Sequence, residues 1–116
     1  KYRHVRRLDR SAARKSADIL RCGFSHEACG RKFTYWQEKL GYIGGGCREA
    51  GENIAWGSGS LGTVRSIFNA WMHSPGHRAA ILSRNYTEIG IGNKRGEFDG
   101  YSGSSVWVQQ FGHRGC

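Results

Sequence analysis

The sequence predicts an α+β domain in which helices are segregated from a small antiparallel sheet. Apolar residues recur at helical spacing through the earlier part of the chain, most clearly at Val64, Ile67, Phe68 and Trp71. Strand-like runs bounded by glycines follow, as in Val106 to Phe111. A length of 116 residues is enough for one modest core and too short for two, so residues 1–116 read as a single domain.

Leu8, Ala12, Ala13, Ile19 and Leu20 place a first helix from about Asp9 to Arg21 with its Arg and Lys side chains facing out, stopped by Cys22-Gly23. Phe33, Trp36, Gln37 and Leu40 predict a short second helix ending at Gly41, where a C′ glycine belongs. Gly44-Gly45-Gly46 is a loop. Thr63 can cap the third helix, and Ser74-Pro75 supplies an N-cap and first residue for a fourth that carries His77, Arg78, Ile81 and Leu82. Strands are expected near Asn53 to Trp56, over Tyr86 to Ile91 and over Val106 to Phe111, with Gly92 to Ser105 as a glycine-rich connection.

Hydrophobic residues make up 38% of the chain and aromatics 12%, enough for a packed interior. No apolar run approaches the ~18 residues needed to span a bilayer. The opening Lys1-Tyr2-Arg3-His4 is no signal peptide, so any export signal is expected to be removed or to lie outside the chain. The net charge of +9 favours anionic partners such as lipid head groups or an acidic cell envelope. Long-range attraction does not tell these from nucleic acid, but because the arginines are spread from Arg3 to Arg114 a solvated basic surface suffices, and nucleic acid is not the expected partner. The densest cluster is Arg3, Arg6, Arg7, Arg10, Arg14 and Lys15.

Cys22, Cys29, Cys47 and Cys116 form an even set without a Cys-x-x-Cys pair, which argues for two disulfides and an oxidising, extracellular setting. Three connectivities are open. The favoured one pairs Cys29 with Cys47 and Cys22 with Cys116, each bridge contributing about 3 kcal/mol.

The run from Gly51 to His77 brings Glu52 and His77 from separate elements, and His26 adds a second imidazole, the materials of a metal or acid/base site. His77 falls in the first turn of a helix, where the dipole favours a neutral imidazole. His73 and His77 are four apart, but Pro75 interrupts the helix and no Glu adjoins His73, which argues against a zinc-protease pair. His4 and His113 are expected at the surface, and Trp36, Trp56, Trp71 and Trp107 in the core, Trp56 being placed to rim a groove.

Phe24-Ser25-His26, Gly51-Glu52-Asn53-Ile54-Ala55, Trp71-Met72-His73-Ser74-Pro75-Gly76-His77-Arg78, Tyr86-Thr87-Glu88-Ile89-Gly90-Ile91-Gly92 and Val106-Trp107-Val108-Gln109-Gln110-Phe111-Gly112 together resemble the bacterial branch of the CAP superfamily. That superfamily joins the cysteine-rich secretory, antigen 5 and pathogenesis-related 1 proteins, or SCP domains. The resemblance implies a three-layer α/β/α sandwich with a central antiparallel sheet and a cleft on one side. It also implies that the family's usual first helix has no counterpart before Lys1. In the family's cleft of two His and two acids, His26 and His77 match the imidazoles and Glu52 one acid. Ser74 stands at the fourth position, which weakens metal affinity. Glu49 and Glu88 are the carboxylates left to compensate.

Three functions are weighed. The first is a secreted, monomeric binding module, not an enzyme, whose cleft takes Zn²⁺ through His26 and His77 with Glu52 nearby, and a lipid or other anionic ligand. The second is a hydrolase with Glu52 as general base and a histidine or its metal stabilising charge. The third is a polyanion-binding domain acting through the Arg-rich first helix.

Overall fold

The computed structural model describes residues 2–43 and 48–114. The chain runs β1 (Arg3–His4), α1 (Arg6–Cys22), α2 (Tyr35–Lys39), β2 (Arg48–Ser58), α3 (Val64–Met72), α4 (Pro75–Leu82), β3 (Glu88–Phe98) and β4 (Tyr101–Arg114). The sheet order is β1-β3-β4-β2, with β2 and β3 antiparallel to β4 and the two-residue β1 parallel to β3. The expected α+β architecture with a small central sheet is the one formed.

The sheet is longer than the sequence pattern suggests. Gly92 to Ser105, expected as a connection, is the paired end of a hairpin that turns only at Asp99-Gly100, both with positive φ. Asp-Gly suits that turn because its twist matches the flanking strands. β1 is too short to leave a periodic signature.

Ile54, Val106 and Val108 point to one face and pack with Ala12, Ile19, Ala28 and Phe98. α1 lies close on that face because Gly90, Gly92 and Gly96 offer no Cβ there. Asn53 and Gln109 point the other way, where Asn53 Nδ2 donates to His77 O at 3.1 Å and Trp71 Nε1 donates to Ile54 O at 3.2 Å. α1 thus covers one face, and α3 and α4 flank β2 on the other.

Thr63 caps α3 as expected, its Oγ1 accepting from Ser66 N at 3.2 Å. The apolar stripe of this helix is only half used. Ile67 and Trp71 are buried while Val64 and Phe68 are 61% and 44% exposed. The sheet meets α3 at edge strand β2, which covers the side of the helix with Ile67 and Trp71 and leaves the side with Val64 and Phe68 open.

The expected disulfides are corrected. Cys22 pairs with Cys29 across a Cα–Cα distance of 5.2 Å, so neither can join Cys47 or Cys116, which lie outside the described residues. The physical reason is local. α1 ends at Cys22, and a turn over Ala28–Gly30 with Cys29 at φ 61° folds the chain back on the helix end.

Candidate functional site

Glu52 lies on edge strand β2 with its side chain turned toward α1, in register with Gln110 of β4. Its carboxylate is 1% exposed. Lys15 Nζ stands 3.1 and 3.3 Å from its two oxygens, Gln110 Nε2 donates to Oε2 at 2.8 Å, and His26 Nδ1 lies 2.8 Å from Oε1. Lys15 is itself 2% exposed, which corrects the expectation that the basic residues of α1 all face out. A lysine is taken into such a place only when paired. The sequence does carry a signal for this, since Leu8, Ala12, Lys15 and Ile19 follow the spacing of one buried stripe.

His26 sits on the segment between α1 and α2, held at three points. The Cys22–Cys29 bridge closes it, Lys15 Nζ donates to its carbonyl, and buried Asp18 gathers the neighbouring groups. Asp18 receives Arg31 at 3.0 Å, Arg21 at 3.2 Å and Trp36 Nε1 at 2.7 Å. The ring is half exposed. Because a carboxylate only accepts, Nδ1–H donates to Glu52, and this fixes the ring with Nε2 turned away from that carboxylate.

His77 enters from the opposite layer, in the first turn of α4. Its Nδ1 is 2.8 Å from Ser74 Oγ. Ser74 takes the N-cap position but makes no side-chain cap bond, its hydroxyl being given to the imidazole. The residue that leaves the fourth position uncharged therefore still orients a ring. Burial, and then the charge of nearby His26, lower the His77 pKa from the ordinary value of 6.5. The unfolded chain then binds more protons, so this contribution to stability is complete above that value and is lost as pH falls through and below it. In thermal melts from about pH 7.5 to about pH 5, native protein should lose stability more steeply than His77→Gln. An identical or shallower decline would contradict the burial of the ring.

His26, Glu52 and His77 line one cleft of about 730 Å³ with Phe24, Ser25, Glu27, Phe33, Gly51 and Ile54. Glu49 is not part of that lining, and Glu88 bonds Arg3 and Tyr42. Neither imidazole Nε2 has a protein partner among the described residues. His4 and His113 bond Asp9 and Thr87 away from the cleft.

The donor set does not fit a resident zinc ion. Zinc takes at least three protein ligands, and Glu52 has both oxygens committed beside an ammonium. Among the described residues no group of three His, Cys, Asp or Glu side chains could hold a metal. The same bonds oppose Glu52 as general base, because a buried carboxylate whose oxygens are taken by Lys15, Gln110 and His26 has no open face for water.

The family model of the cysteine-rich secretory proteins, CAP, matches residues 6–111, from the start of α1 to the last strand. The chain belongs to the CAP family. A curated relative, the uncharacterized protein YkwD of Bacillus subtilis (strain 168), is 36% identical over 107 residues, covering 90% of this chain and 36% of its own length. This CAP domain thus spans about a third of that relative. Among solved structures, an extracellular protein containing an SCP domain from Bacillus anthracis str. Ames superposes with a TM-score of 0.74 at 22% identity, over 97% of this chain and 34% of its own. An outer surface protein from Borrelia burgdorferi gives 0.76 at 19% identity, over 97% of this chain and 77% of its own. At such identities the likeness is one of fold.

Proposed function

We propose that this CAP domain is a secreted or surface-displayed binding module, not a hydrolase, and that its cleft takes an amphiphile with an acidic head and an apolar tail. The observation that carries the reading is that His26 and His77, each held through Nδ1, line one cleft with Phe24, Phe33 and Ile54. An Nε2–H on each oriented imidazole can donate to an acidic head group, and the apolar wall can cover a chain. The descriptions of two structural neighbours as extracellular and outer surface proteins, and the disulfide, support display outside the cytoplasm. No helix among the described residues is long and apolar enough to cross a membrane.

Calorimetry with a single-chain fatty acid below its micelle concentration tests this. His26→Ala and His77→Ala should each weaken binding by about tenfold, the worth of one good hydrogen bond to a charged group. Undiminished affinity in both variants would end the proposal. Zinc added alone should bind weakly, with two nitrogens and water completing its shell. Tight stoichiometric uptake abolished by either alanine would restore a resident metal.

A further inference from the structure

The outer face of α1 carries a second feature, unconnected to the cleft. Arg6, Arg7, Arg10, Arg14 and Arg21 fall within one stripe opposite the buried residues Leu8, Ala12, Lys15 and Ile19, and all five are exposed. At its start, Val5, Arg6, Arg7 and Arg10 enclose a concavity of about 360 Å³.

Arg21 is paired with Asp18, but the start of the stripe lacks counter-ions among the described residues. Among the described residues no carboxylate lies within ion-pairing distance of Arg6, Arg7 or Arg10. Asp9, the acid within the cluster, is committed elsewhere, one oxygen to His4 and the other accepting Ile91 N at 2.9 Å. Arg7 is positioned by donating to Gly41 O at 3.2 Å, and Arg14 is laid over the Trp36 ring 5.2 Å from its centroid. Arg6 with Arg10, and Arg7 with Arg10, are like charges at helical contact spacing, which opposes helix formation unless an anion lies between them.

We propose that Arg6, Arg7 and Arg10 form an anion site for clustered phosphate groups, with Arg14 extending it along α1. Planar guanidinium forks match phosphate oxygens two at a time, and three of them around one concavity select a multivalent phosphate over a single carboxylate.

Inorganic tripolyphosphate is the soluble probe, and phosphatidylglycerol vesicles present the same chemistry as a head group. Binding should weaken with salt on a log–log slope on the order of two to three, one per phosphate neutralised. Arg6→Gln/Arg7→Gln/Arg10→Gln should weaken it at least about tenfold. Arg65→Gln/Arg78→Gln/Arg84→Gln, which removes equal charge from exposed positions elsewhere, should change it by less than about threefold. All six positions are exposed, so folding, checked by circular dichroism, should persist. Binding to vesicles alone assigns the site to lipid head groups, and binding to tripolyphosphate alone to a soluble phosphate ligand. Equal losses in the two triple variants would reduce the attraction to net charge and overturn the proposal, as would the absence of binding to either probe.

Discussion

Lys15→Met should lower unfolding stability by about 3–5 kcal/mol, because it leaves the Glu52 carboxylate buried without its counter-charge. Methionine approximates the volume of the lysine stem, so the loss reports electrostatics more than a cavity. The His26 carbonyl also loses its donor, which loosens the segment that presents the imidazole. Denaturant unfolding reads the first effect, and the affinity of the cleft for its ligand reads the second. Lys15→Met/Glu52→Gln should recover most of the stability, since removing both charges removes the desolvation problem with them. If the single variant unfolds at the native midpoint, the pair is not buried as described.

Gly92→Ala should cost about 3 kcal/mol, near the upper end of overpacking penalties. A Cβ there would stand 2.2 Å from Ala13 N and 2.3 Å from the Ala12 carbonyl carbon, and neither backbone atom can move without lifting α1 from the sheet. Gly90 meets Leu8 and Asp9 in the same way, so the two glycines form a groove that seats the helix. Gly76→Ala in α4 supplies the contrast, since nothing lies within 4 Å of the added carbon. It should be neutral, or stabilising by up to about 1 kcal/mol. Equal effects of the two substitutions in urea unfolding would refute the close approach.

These two positions show how legible the chain is. The helices follow from local chemistry: Thr63 before an apolar stripe, and Ser74-Pro75 at the next start, act within a turn or two and need no distant partner. The family motifs carry His26, Glu52 and His77 into one cleft, where the structure also places them. Lys15 departs from expectation because charge ordinarily implies solvent, although its spacing puts it on the buried stripe. The Asp-Gly turn is hidden within a glycine-rich stretch, and with it the far half of the hairpin.

By itself, the sequence determined the class of fold, the family, and which residues could do chemistry, because periodicity, capping and motif order are properties of neighbours along the chain. Only the tertiary structure decided what those residues do. Glu52 spends its charge on Lys15 and its oxygens on Gln110 and His26, and Ser74 leaves the helix end to hold His77. Cys22 finds Cys29 and not a distant partner. In each case a polar group has several possible partners along the sequence, and burial beside one of them makes that choice binding, since an unpaired group away from water is too costly to keep.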